Sequence, residues 1–290
     1  MRFRFKILII VLILYSGNPL RDYLNKKIKD NSFGSNFFKI EKSLKDSTEI
    51  SFWGNSTSFM SFDAEVIQTK LKKSCFNYGL EGIYFDEIFH LYAFSKRHKN
   101  KHIVWVINPF EFLKNQKSKI NSTDLFLPFS RQHQFDDILS TNEFKKIKYF
   151  GWNNIFKFNA EHWKFIFGGK NKVPFNEFGN VKFQKDFNNI NEFYAPEKMI
   201  FSQKKITVLN DIIIKLKTNN KLTLVIPPNL SFQNFNSFIK EVNCDNIFNY
   251  SNFFTNSASF QDHIHINPNE MKILTYKFCE DFKRTLLRFP

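Results

Sequence analysis

Glu49-Ile-Ser-Phe-Trp-Gly-Asn-Ser56 is the stretch that decides the fold. Ile50, Phe52 and Trp53 are β-branched or aromatic, which suits a buried strand. Gly54 ends the run, and Asn55-Ser56 can open a helix. Directly downstream, within residues 62–72, Phe62, Val66, Ile67 and Leu71 recur at helical spacing. The period therefore switches from strand to helix across one short turn.

The same alternation continues outward. Ser74 to Tyr78 reads as a short strand stopped by Gly79 and Gly82, and residues 83–98 as a helix. His102-Ile-Val-Trp-Val-Ile107 is apolar on both faces, as strands inside a parallel sheet are, and it ends at Asn108-Pro109. Ile206, Leu209, Ile213 and Leu216 mark a helix, followed by the strand Leu222 to Ile226, which Pro227-Pro228 terminates. A helix over 234–242 and a last strand over Ile247–Tyr250 follow. The final helix opens with Asn267 as cap, Pro268 at the first helical position and Glu270 where a capping-box carboxylate falls. Its apolar stripe is Met271, Leu274, Phe278 and Phe282. This order predicts an α/β fold: a flavodoxin-like, doubly wound, mainly parallel five-stranded sheet. Residues 111–200 break the alternation and are expected as an aromatic-rich insertion between strands three and four, or a cap over the sheet's carboxyl edge.

Ahead of this body, Arg2, Arg4 and Lys6 precede an apolar run from Ile7 to Tyr15, interrupted at Ser16-Gly17. A basic flank and a short apolar core predict a signal peptide or signal-anchor over 1–17, with the body outside the cytoplasm. Residues 18–46, polar and rich in Lys and Asn, are expected as a tether before the domain at 47–290.

With 42% hydrophobic residues the chain is no disordered polymer. The net charge of +15 comes from scattered lysines. No strand, finger or helix-turn-helix signature accompanies them, so nucleic acid is not expected as a partner. Cys75, Cys244 and Cys279 are too few for a disulfide framework. No Cys or His pair has zinc-site spacing, and the reading calls for no metal and no cofactor.

In a doubly wound sheet, ligands bind beyond the carboxyl ends of the strands, and the chemistry-bearing residues fall there. Ser56 sits on the turn after strand one. Asp262-His-Ile-His265 lies just before the last helix, where an Asp three residues ahead of a His can orient its ring toward a serine. A serine hydroxyl is a weak nucleophile without such a base. Gly79 and Gly82, two of only nine glycines, stand at the end of strand two, where a glycine N–H can donate to an oxyanion. Asn108 ends strand three with a further donor. His263 is two residues off register, and His90, His98, His102, His133 and His162 are read as structural.

Gly54-Asn55-Ser56 resembles the Gly-Asp-Ser block of the SGNH (GDSL-like) hydrolases, with Asn in place of Asp. Asn77 through Gly82 is similar to their second block, and Asp262 through Asn267 to their Asp-x-x-His block. The resemblance covers about two-thirds of the chain and leaves out 111–200. It implies a Ser56, His265 and Asp262 triad, with Ser56, Gly82 and Asn108 forming the oxyanion hole. The third block, Gly-x-Asn-Asp, is absent in that form; Asn108 stands at its place, and Asn153 or Asn154 is an alternative. The pattern looks most like the branch tied to O-acylation of cell-envelope polysaccharides. It implies an esterase or O-acyltransferase, an acylated glycan or related ester as substrate, a membrane contact through the N-terminus and a membrane-bound acyltransferase as a partner. The relaxed blocks also allow a non-catalytic accessory module of the same fold.

Overall fold

The computed structural model describes residues 2–116, 122–132, 135, 146, 148–170, 175–181, 199–230 and 235–288. Its centre is a five-stranded, all-parallel sheet in the order β2-β1-β3-β4-β5. The strands are β1 (Ile50–Trp53), β2 (Cys75–Asn77), β3 (His102–Val106), β4 (Lys221–Ile226) and β5 (Ile247–Asn249). Each lies where the alternation predicts one. β3 sits centrally, with Trp53 of β1 opposite Trp105.

Successive residues of the central strands face opposite sides, so each strand feeds two cores. Trp105, Leu224 and Ile226 face one side, together with α5 (Phe89–Arg97) and α8 (Gln203–Lys217). Val104, Val106 and Val225 face the other, together with α4 (Ala64–Leu71) and α10 (Pro268–Arg288). Ile206, Leu209, Ile213 and Leu216 are all buried on α8, and Met271, Leu274, Phe278 and Phe282 on α10. α9 (Asn236–Glu241) connects β4 to β5. The expected helix from residue 83 starts only at Phe89; Glu87 accepts the Tyr84 N–H and holds residues 84–87 as a turn first.

One expectation needs correction. Residues 18–46 are not a tether. α1 (Arg2–Asn31) runs unbroken through Ser16-Gly17, and α2 (Asn36–Lys45) follows it. Leu24 and Ile28, then Phe37, Ile40 and Leu44, recur at helical spacing and are buried in the first core. That period outweighs the polar composition between them. The segment 111–200 falls between β3 and β4 as an insertion, and part of it packs along the N-terminal helices. α6 (Gly151–Ile155) and α7 (Ala160–Ile166) pack on α1. Residues 175–181 lie along the free edge of β2, where the Asn77 N–H donates to the Phe178 carbonyl at 3.0 Å. His133 and residues 182–198 lie outside the described residues. No helix among the described residues is long and apolar enough to cross a membrane.

Candidate active site

The nucleophile position is built by β1 and the turn after it. Gly54 has φ +136°, and a Cβ there would come within 2.3 Å of the Val106 carbonyl oxygen. Only glycine lets the chain turn this close to β3. Asn55 then caps the short helix α3 (Ser56–Ser61): its Oδ1 accepts the Thr57 N–H at 2.9 Å and the Thr57 hydroxyl at 2.7 Å. Ser56 thereby becomes the first helical residue, half-buried at the carboxyl edge of the sheet.

Asp262 and His265 arrive from the other end of the chain. The Asp262 Oδ1 accepts the Ile264 and His265 N–H groups, each at 2.9 Å, closing the loop into one turn. The Gln261 N–H donates to the His265 carbonyl at 2.7 Å and fixes the turn from outside. Asp262 Oδ2 stands 2.6 Å from His265 Nδ1, and His265 Nε2 stands 2.8 Å from Ser56 Oγ. A carboxylate at Nδ1 holds the proton there and leaves Nε2 to accept from the serine hydroxyl. The His265 side chain is only 15% exposed, whereas Asp262 keeps 53%. Burial pushes the Asp262 carboxyl up, but the hydrogen bond and charge of His265 and the two backbone donors outweigh it, so its pKa lies below the usual value. The three residues are thus one continuous hydrogen-bonded chain across 209 positions of sequence.

Beyond this loop, Asn267 caps α10 as expected, accepting from Asn269 and Glu270. The capping box is only half formed. Glu270 accepts from the Ser259 hydroxyl, and the Asn267 N–H goes to the Ser259 carbonyl.

The expected oxyanion donors are placed less uniformly. Asn108 is buried at the end of β3, and its Oδ1 accepts the Phe110 N–H at 3.1 Å. That bond orients the amide and leaves Nδ2 as its donor end. Gly82 lies in an exposed turn with φ +70°. Gly79, three residues earlier, is the glycine packed against the nucleophile helix: a Cβ there would meet Ser58 Cβ at 2.8 Å and the Asn55 carbonyl at 3.1 Å. Its own N–H donates to Asn77 Oδ1. Asn153 and Asn154 belong to α6, which packs on α1, and the Asn154 amide bonds the Leu127 carbonyl and the Ser130 hydroxyl.

Two supporting residues escaped the sequence reading. Lys39, on α2, is fully buried; its Nζ donates to the Gly79 carbonyl at 2.7 Å and lies over the rings of Phe59 and Phe175. Burial drives its pKa well below the ordinary lysine value, with Glu81 opposing. It joins α2, α3 and the loop after β2 at one point. Glu111 follows β3. Its carboxyl accepts from Asn55 Nδ2 and, at 2.6 Å, from the Phe85 N–H. Burial, with Asp86 and Glu87 adding, pushes the group up to about 8 despite these donors. Lys205 and Tyr84 hold the Glu111 backbone carbonyl. Lys39 falls in the stretch expected as a tether and Glu111 at the edge of the expected insertion, and neither carries a local sequence signal of its role.

His90, His102 and His162 are bonded within the fold. His90 bonds the Tyr78 carbonyl, and burial lowers it to about 3. His102 bonds Thr223, and His162 completes the cap of α7. Cys75 and Cys279 are buried and Cys244 is half-buried, all as free thiols. Among the described residues, no cluster of three or more His, Cys, Asp or Glu could hold a metal.

Fold and site together define a doubly wound α/β protein with a serine, histidine and aspartate chain at the carboxyl edge of its sheet. No protein-family model matches the chain, and no curated protein matches its sequence.

Proposed function

We propose that the protein is a serine-dependent esterase or O-acyltransferase acting on an acylated cell-envelope polysaccharide or a related ester. The observation that carries this is the Ser56, His265 and Asp262 chain, at 2.8 Å and 2.6 Å. Ser56 Oγ attacks the acyl carbonyl while its proton passes to His265 Nε2. Asp262 holds the ring and balances the imidazolium. The Ser56 N–H, which as the first of a helix has no intrahelical acceptor, receives the oxyanion with the Gly82 N–H and Asn108 Nδ2. Collapse expels the alkoxide, which takes the proton from His265 and leaves an acyl-Ser56. Water then gives an esterase, and a sugar hydroxyl gives a transferase.

The body is placed outside the cytoplasm, with the apolar run at the head of α1 in the membrane. An uncleaved anchor is favoured because residues 17 and 18 belong to the fold: the Gly151 N–H donates to Asn18 Oδ1 at 2.9 Å. A short span is accommodated by local bilayer thinning and snorkelling cations.

A fluorophosphonate probe tests the chemistry. Labelling of the wild type that Ser56→Ala abolishes supports it. An unlabelled wild type leaves the accessory-module reading, in which the fold binds glycan or a membrane acyltransferase.

A further inference from the structure

We infer that α6 and the residues just before it form an aromatic collar that seats the folded body on the surface of an anionic bilayer; this rests on the anchor reading of α1. The contacts fix its place along that helix. A Cβ on Gly17 would meet the Trp152 ring at 2.5 Å, and one on Gly151 would meet the Gly17 carbonyl at 2.1 Å. The two backbones therefore touch at a pair of glycines. The Arg21 guanidinium donates to the Lys148 carbonyl at 2.9 Å. Residues 148–152 thus straddle α1 at positions 17–21. At ~1.5 Å per residue, that begins about 3 Å beyond Tyr15, the end of the apolar run.

At this level the molecule shows water what a folded domain normally hides. Tyr149 is 62% exposed, Phe150 44% and Phe156 80%, and Trp152, half-buried, stacks on Phe156 at 6.0 Å. Tyr15 itself is 62% exposed. Rings of this kind collect where hydrocarbon gives way to headgroups. The charge pattern fits the same partner. From Lys146 to Phe158 the chain carries Lys146, Lys148 and Lys157 and no acidic residue. Cations interleaved with interfacial aromatics match lipid phosphates. Trp163, on α7, lies farther along: the Asn31 side chain bonds the Phe165 carbonyl, which sets α7 about 20 Å from Gly17 along α1.

Tryptophan emission of the full chain reconstituted in phosphatidylglycerol-containing vesicles tests this. Trp53 and Trp105 are core residues and silent to the lipid. Trp163→Phe leaves Trp152 as the reporter, and Trp152→Phe leaves Trp163. With a quencher attached near the lipid headgroup, the Trp163→Phe protein should shift to the blue and lose intensity, and the Trp152→Phe protein should change little. Adding Tyr149→Ser, Phe150→Ser and Phe156→Ser to Trp163→Phe should remove the effect while hydrolysis of a soluble ester persists. A chain that sediments with vesicles but shows no change at Trp152 overturns the collar and spares the anchor. A chain that fails to sediment overturns both. Equal quenching of both reporters means that α1 lies flat, and a lipid-free shift that grows with protein concentration assigns the face to a second copy. Either refutes the proposal.

Discussion

Replacing Glu111 with Gln gives a stability difference whose pH dependence is set by one side chain. The folded protein raises the Glu111 carboxyl from 4.5 to about 8, chiefly through burial. Between those values the folded state binds a proton that the unfolded chain has released. Stability therefore falls as pH rises through that window. A displacement of roughly 3.5, at ~1.4 kcal/mol per pKa unit, sets a ceiling near ~5 kcal/mol, and about 4 kcal/mol of it lies between pH ~5 and ~9. The residue as a whole is only half-buried, so about 2–4 kcal/mol is expected. Gln does not ionise, but it can accept from only one of Asn55 Nδ2 and the Phe85 N–H. The donor left over costs about 1–3 kcal/mol at every pH. Glu111→Gln should thus be the less stable protein at pH ~5, and its deficit should shrink or reverse by pH ~9. Urea unfolding of both proteins at several pH values measures the difference, and groups common to both cancel. A difference that stays flat across that range would refute a raised Glu111.

Three further perturbations address the site. Ser56→Ala and His265→Ala should each abolish turnover of a soluble ester, and the double variant should lose little more, because a hydrogen-bonded relay acts as a unit. Asp262→Asn should lower kcat by about 10³–10⁴ without unfolding the protein, since it disturbs the imidazole tautomer and not the core; activity near wild type would remove Asp262 from the relay. Lys39→Met keeps the side-chain volume and removes the cost of burying an ammonium, but it leaves the buried Gly79 carbonyl without its donor, so it should fold with a loss of no more than about 1–3 kcal/mol. It should still reduce kcat more than KM, because the Gly79 carbonyl loses its donor; unchanged kcat would make Lys39 a packing residue only.

The legible part of this protein was its alternation. Strands such as His102–Val106 carry their burial in their own composition, and the Asp262 to His265 turn needs only a local hydrogen bond to close. What escaped depended on distant partners. Lys39 reads as one more polar residue in a Lys-rich stretch, and nothing nearby announces that Phe59 and Phe175 enclose it. The helical spacing of Phe37, Ile40 and Leu44 is present in the sequence but masked by the Lys- and Asn-rich residues around them. Of the two glycines after β2, Gly79 is pressed against Asn55 and Ser58, a contact set by how α3 lies on the loop. Position in a motif could not reveal it.

The structure gives the choice of Asn over Asp at position 55 a physical reason that can be tested. The Asn55 amide works at both ends: Oδ1 caps α3 through Thr57, and Nδ2 donates to Glu111 Oε1. Asp at this position would still cap the helix, but its second oxygen would face another carboxyl. Two carboxyls in contact cannot both ionise without large cost. Asn55→Asp should therefore be tolerated in acid, where the pair shares a proton, and should lose stability and activity as pH rises past neutral. Combining it with Glu111→Gln exchanges donor and acceptor across the same bond. The introduced amide then donates through its Nε2 to the introduced carboxylate, while its Oε1 accepts the Phe85 N–H. The double variant should recover much of what either single change loses, with a coupling of about 1–3 kcal/mol. Single losses that simply add, or an Asn55→Asp protein identical to wild type at every pH, would show that Glu111 does not dictate the residue at position 55.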